Sequence, residues 1–386
     1  MKPSQEIIDW LISDGRELGD GEAIVDGYIS RLVAAGVPVR RANIAQRFAN
    51  PLLIAWGVVW TPEGSSTYDV THETLGTDSY VGSPFEIVRR TGKPLHKSLR
   101  NLNLKTEHKS YLELAEAGGT DIYANQLAFG DGSKNGCTYV TNDPDGFNPE
   151  HIQLIQDCEH ALACAMEPVT MRRSTRSLLR TYLGNGPAAA VTEGSITRGG
   201  HTSTEAVLIF TDLRGFTAST EAWSDTKLLR ALDGYFDVVV SAVEENGGDV
   251  LKFMGDGVLC VFTIDAQYSH KAQCRNAVSA AKSTLTGLQE LNEKRALSSE
   301  EPLSIGIGIN MGSVTYGNIG SPGRLDFTVL GSAVNVASRV QDLCKTIDVA
   351  VLATEQIAIH CSEEFEEKGS HPVKGVTQPI KVFALK

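Results

Sequence analysis

Residues Gly247–Phe262 read GGDVLKFMGDGVLCVF. Two apolar runs, Val250–Met254 and Val258–Phe262, flank Gly255-Asp256-Gly257. Asp-Gly between strand-like runs is a hairpin signal, because the turn needs residues that tolerate positive φ. Alone, the stretch is an ordinary hairpin. Lys252 departs from that pattern, since it sits in an apolar strand where an unpaired charge is costly to bury. A carboxylate at the hairpin tip and an inward-leaning lysine beside it suggest a site.

Upstream, Val207–Phe210 runs as a short apolar strand through Thr211 into Asp212-Leu-Arg-Gly215-Phe-Thr217. A carboxylate at a strand end commonly caps the next helix. Two of them on central strand ends, each beside a glycine, are also how two hard cations are held against phosphates. Downstream, Phe327-Thr328-Val-Leu-Gly331-Ser-Ala-Val-Asn335-Val-Ala-Ser-Arg339 enters a helix. Asn335 and Arg339 stand four apart and so leave from one face.

In this order, FTDLRGFT, GGDVLKFMGDG and the run from Arg324 to Arg339 resemble the class III nucleotidyl cyclases, across roughly Glu205 to Lys386. The resemblance implies an α+β domain with a ferredoxin-like βαββαβ core. It implies cyclisation of a nucleoside triphosphate, with two Mg²⁺ or Mn²⁺ ions per active site held by Asp212, Asp256 and the Leu213 carbonyl. Asn335 would hold the ribose and Arg339 would stabilise the transition state. Arg324 and Lys374 would bind the outer phosphates. Lys252 can donate to adenine N1 but would face a donor at guanine N1–H, and Thr328 can accept from the adenine amino group. Guanylyl cyclases of the family carry glutamate and cysteine at these two places. ATP is therefore the expected substrate, cyclic AMP and pyrophosphate the products, and adenylate cyclase the expected activity. Guanylate or dual-specificity cyclisation, or a silent nucleotide-binding module, are the alternatives. Many adenylyl cyclases have aspartate where Thr328 lies, and threonine there resembles the bicarbonate-responsive subclass. Because the family divides each site between two catalytic domains and this chain carries both residue sets once, a head-to-tail homodimer is expected.

The 386 residues suffice for two ordinary domains. A net charge of −12 without a Lys/Arg block argues against nucleic acid as partner. Triphosphate binding does not need a basic protein, since metal ions neutralise it locally. No run approaches the eighteen apolar residues of a membrane span, and the start lacks a signal-peptide pattern. The seven cysteines are scattered without a CxxC pair, so they read as free thiols of a cytoplasmic protein. The nine histidines show no zinc-ligand spacing.

Three segments follow: residues 1–167, a linker with a coupling helix over 168–204, and the cyclase-like part 205–386. In the first, helical spacing over residues 1–36, a strand at Leu52–Trp60, a helix at Ser83–Thr91, a hairpin around Asp131-Gly132 and a helix from about Asn148 are expected. That order resembles a GAF-type sensory domain, which implies regulation and a small-molecule ligand. The motif of its cyclic-nucleotide-binding members is absent, and a ligand-free dimerisation module remains the alternative. Met171–Leu183 could continue the preceding helix until Gly184-Asn-Gly-Pro187 breaks it, and Ala188–Thr204 has a connector's composition. In the last segment, Leu228–Val243 trace one helical face from a Ser224 cap to Gly247. A second helix spans His270–Lys294. Leu303, Ile305, Ile307 and Ile309 alternate with small residues as a half-buried strand, a Met311-Gly312 turn follows, and strands Val314–Ile319 and Asp326–Leu330 lead to the Asn335 helix.

Overall fold

The computed structural model describes residues 2–194 and 200–386. The chain divides into two compact units, Met1–Thr181 and Tyr182–Lys386.

The first unit opens with helices α1 (Pro3–Ile12), α2 (Asp14–Glu17) and α3 (Gly21–Ala34). Strands β1 (Arg41–Arg47), β2 (Leu53–Thr61) and β3 (Gly64–Thr71) follow, then α4 (Pro84–Thr91), β4 (Leu95–Ser98), α5 (Lys109–Glu116), β5 (Asp121–Ala128) and β6 (Lys134–Thr141). The strands form one antiparallel sheet ordered β3-β2-β1-β6-β5-β4. On one face Ala42, Ile44, Trp56, Val58 and Tyr139 pack against Leu11, Ile24, Tyr28, Leu32, Cys158 and Met166 of the long helices. Strand periodicity then turns Arg41, Asn43, Ala45 and Arg47 to the other face. Helix α4 starts at the Ser83 cap, whose hydroxyl accepts from the Glu86 N–H, and stops at left-handed Gly92. Strands β1, β3 and β4 carry polar or weakly alternating sequences that periodicity alone misses.

The last helix of this unit, α6, spans Pro149–Leu183 and runs through Pro168, so the helix crosses the expected boundary after residue 167. Proline removes one backbone donor, and Cys164, four residues before it, lies on the exposed side of the helix. The break falls at Gly184, as the sequence predicts, and α7 (Asn185–Thr192) occupies the start of the expected connector. Residues 195–199 of that connector lie outside the described residues.

The second unit continues through β7 (His201–Leu213), α8 (Phe216–Ala222), α9 (Asp225–Glu245), β8 (Asp249–Met254), β9 (Gly257–Ile264) and α10 (His270–Leu297). It ends with β10 (Ile305–Ser321), β11 (Arg324–Leu330), α11 (Ser332–Ile347), β12 (Val351–Thr354), α12 (Glu355–His360), β13 (Phe365–His371) and β14 (Ile380–Leu385). The sheet order is β13-β14-β12-β10-β7-β9-β8, with β11 paired to β10. Within it, each of β10-β7-β9-β8 is antiparallel to its neighbour, and they connect as βαββαβ, the ferredoxin-like arrangement.

Helices α9 and α10 cover one face, burying Tyr235, Val239, Ala277 and Leu288 against Val207, Ile209, Cys260, Phe262, Ile307 and Ile309. Helix α11 covers the other. Strand β10 is therefore buried on both sides over Ile305–Asn310, not half-buried. Its small residues are a bed for the helix: a Cβ on Gly308 would lie 2.4 Å from the Ala337 carbonyl oxygen and from the Gln341 nitrogen. The expected turn at Met311-Gly312 does not form, because β7 pairs with β10 without a break from Leu213↔Ile305 to His201↔Gly317. Among the described residues no helix is long and apolar enough to cross a membrane, and all seven cysteines are free.

Candidate active site

Asp212 ends the central strand β7, and Asp256 forms the tip between β8 and β9. Pairing of Thr211 with Val258 sets those two ends side by side. The Asp212 carboxyl is pushed up to about 7, first by burial, then by the charge and contact of the Asp256 carboxylate, and next by Asp342, while the Leu213 N–H works the other way. Below them Tyr235 and Thr211 share a 2.6 Å hydroxyl–hydroxyl hydrogen bond that fixes the strand end on α9. Among the described residues no basic side chain pairs with either aspartate. Two crowded hard-oxygen donors fit a divalent cation such as Mg²⁺ or Mn²⁺. Among the described residues no group of three or more His, Cys, Asp or Glu side chains is placed to hold a metal ion. A cation held by this pair would complete its shell with carbonyl, water or phosphate oxygens, the habit of Mg²⁺.

Lys252 is half-exposed and its ammonium pairs with Asp326 of β11, so the charge expected inside an apolar strand is neither buried nor alone. Thr328 lies two residues further along β11, opposite Gly317. Asn335 and Arg339 leave the outer face of α11, opposite the buried Ala333, Ala337 and Val340. The Arg339 guanidinium donates to Asp342 at 2.9 Å. Arg324 sits at the exposed tip of the β10–β11 hairpin and Lys374 in the exposed turn before β14; neither has a side-chain partner among the described residues. Within one chain, Asp212 thus meets Asp256, Lys252 meets the strand of Thr328, and Asn335 and Arg339 share one face of α11.

Residues 201–386 match the adenylate and guanylate cyclase catalytic domain.

An adenylate cyclase of Anabaena cylindrica is 32% identical over 188 residues, covering 46% of this chain and 36% of that protein. Among solved structures, the adenylyl cyclase CyaB from P. aeruginosa is 27% identical over 48% of this chain and 96% of its own, with a TM-score of 0.44. A bacterial light-regulated adenylyl cyclase reaches a TM-score of 0.50 at 20% identity, over 69% of this chain and 86% of its own, a likeness of fold. This chain spans 36% of the Anabaena protein and 11% of a Dictyostelium discoideum adenylate cyclase.

Three residues around the candidate site go unmarked in the sequence. Asp342 both pairs with Arg339 and acts on Asp212; its i+3 spacing from Arg339 was the available signal. Asp326 fixes the Lys252 ammonium, a cross-strand contact with no local trace. Arg214, inside the Asp212 motif, reaches the far end of α11, donating to the carbonyls of Cys344 at 3.0 Å and of Val349, with Asp348 at 3.3 Å. It caps that helix and ties it to the Asp212 loop.

Proposed function

We propose that this chain is an adenylate cyclase, converting ATP to 3′,5′-cyclic AMP and pyrophosphate at a homodimer interface, with a GAF-like N-terminal unit regulating it. The observation that carries the reading is the Asp212–Asp256 pair, two crowded carboxylates at adjoining strand ends of a domain that matches the cyclases. Bound there, two Mg²⁺ or Mn²⁺ ions would activate the ribose 3′-oxygen and neutralise the leaving triphosphate oxygens.

The side chains supply position and charge. Asp212, Asp256 and the Leu213 carbonyl hold the cations. Asn335 fixes the ribose, and Arg339 gives its guanidinium to the oxygens of the five-coordinate phosphorus, for which the planar fork is suited. Arg324 and Lys374 reach the outer phosphates from their exposed turns. Lys252, oriented by Asp326, donates to adenine N1, and Thr328 accepts from the amino group. Exposed apolar side chains support pairing of two copies: Phe253 and Met254 on β8, Ile319 on β10, and Leu325 and Leu330 on β11.

Mixing variants tests the shared site. Asp212→Ala and Arg339→Ala are each expected to be nearly inactive alone. After subunit exchange at equal amounts, half the dimers are heterodimers with one intact site each, so activity returns to about a quarter of wild type. No recovery despite demonstrated exchange would place the whole site in one chain.

A further inference from the structure

The second face of the N-terminal sheet lines a cavity of about 450 Å³, within the size range of small-molecule sites. Its floor is the side of β1 that carries Arg41, Asn43, Ala45 and Arg47, and its walls include Ile54, Val70, Phe85, Leu114 and Ile122. Two strand glycines shape it. A Cβ on Gly57 would meet the Tyr68 ring at 2.5 Å, and one on Gly136 would meet Phe85 at 2.7 Å. Both rings therefore lie close against the sheet, leaving an apolar slot lined in part by aromatic faces.

The charges in this slot are mainly positive. Arg47 and Arg89 face each other closely enough that burial, and then the Arg89 charge, hold the Arg47 guanidinium below its ordinary range. Arg89 rests over the Tyr80 ring at 5.6 Å. Their sequence neighbours show what is unusual. Arg40 pairs with Glu63 at 2.8 Å and Arg90 with Glu86 at 2.7 Å. Arg41 and Arg89, the next residue in one case and the preceding one in the other, line the cavity with Arg47. Among the described residues none of these three guanidiniums has a carboxylate partner. Glu113, exposed at the edge, is the one carboxylate among the described lining residues.

Gathering like charges beside apolar walls in a protein of net charge −12 is costly unless an anion joins them. We infer that this cavity binds a small organic anion, a carboxylate or phosphate on a flat apolar body, with Arg47 and Arg89 on the anionic group and the body between Tyr68 and Phe85. Guanidinium forks suit either oxyanion. The inference stands apart from the cyclase assignment, because every residue it uses belongs to the first unit.

The test uses the full-length chain and calorimetric titration with two molecules of one shape, 1-naphthaleneacetate and its neutral amide. The acetate is expected to bind at least about tenfold more tightly, the worth of a charged hydrogen-bonding pair. Arg47→Met and, separately, Arg89→Met bring the acetate down to the level of the amide, whereas Arg90→Met, altering the outward-paired neighbour, keeps the difference. Ala45→Trp, which fills the floor, removes binding of both. Circular dichroism and hydrogen exchange on β1 verify folding, and Arg89→Met, on α4, carries the test if Arg47→Met unfolds. Equal binding of the two molecules, binding of neither, or a preference untouched in the folded Arg89→Met variant overturns the inference.

Discussion

The two sheets put glycine to opposite uses. In the N-terminal unit Gly57 and Gly136 make room for the rings of Tyr68 and Phe85, side chains that lie down without closing the face, and a cavity remains. In the C-terminal unit Gly308 makes room for the backbone of α11 itself, so the face closes and the helix is seated rigidly on β10. The same residue type gives a slot in one place and a fixed platform in the other. The charges follow that division: unpaired guanidiniums face the slot, and crowded carboxylates stand at the platform's edge. Small strand residues therefore specify only that something approaches closely. What approaches determines whether the region can admit a ligand or hold reacting groups in register.

The sharpest way to break this contrast is at the carboxylates. Asp212→Ala is expected to lower cyclase turnover by at least about 10²–10³-fold while leaving the fold intact, measured as cyclic nucleotide formed with Mg²⁺ or Mn²⁺. A variant that retains most of its turnover would remove the reason for treating this edge as the site of chemistry.

Next in size is the base. Lys252→Glu with Thr328→Cys replaces the donor opposite purine N1 with an acceptor. A mismatched buried hydrogen bond costs roughly 1–3 kcal/mol, so the ATP-to-GTP ratio should fall by about tenfold or more. A folded double variant with unchanged ATP preference would show that these two residues do not read the base.

The glycines sharpen the contrast directly. Gly308→Ala sets a methyl against backbone atoms that cannot yield, and overpacking of this kind costs roughly 1–3 kcal/mol. Gly57→Ala meets a side-chain ring, which can tilt, so its cost should fall at the low end of that range or below. Hydrogen exchange in β10 and β2 of the full chain reads the two effects separately, and equal losses would erase the distinction. Arg214→Met should act more locally, speeding exchange at the last turn of α11 by removing the donor shared by the Cys344 and Val349 carbonyls, with β2 unchanged.

The smallest expected effect is on pH. Asp212 titrates near 7 when folded, above the ordinary carboxylate range it has when unfolded. The metal-free protein is therefore stabilised below the unfolded pKa and loses that increment as pH rises toward about 7, where the folded group ionises. Asp212→Asn should flatten this part of the stability profile. Mg²⁺ competes with the same proton, so its affinity should rise with pH across the same interval. A metal-free wild type with the same profile as Asp212→Asn would contradict the crowding of the two carboxylates.

Local chemistry determined much of this protein by itself. The Gly255-Asp256-Gly257 turn, the Ser224 cap and the Gly184 break were legible because each depends on a few adjacent residues with distinctive backbone preferences. The placement of Asn335 and Arg339 on one helix face followed from the period of the helix. Tertiary structure decided the rest. Lys252 looks like a buried charge in its strand, but its partner Asp326 is on β11, brought near by sheet pairing. Arg214 sits in the middle of a recognisable motif, yet its guanidinium serves a helix end more than 120 residues away, at Cys344 and Val349. The three arginines of the cavity are scattered over β1 and α4, and no periodicity announces that they share a space. Backbone preferences are properties of neighbours in the chain, whereas charge pairing, crowding and cavities are properties of neighbours in space, which exist only once the sheets have formed.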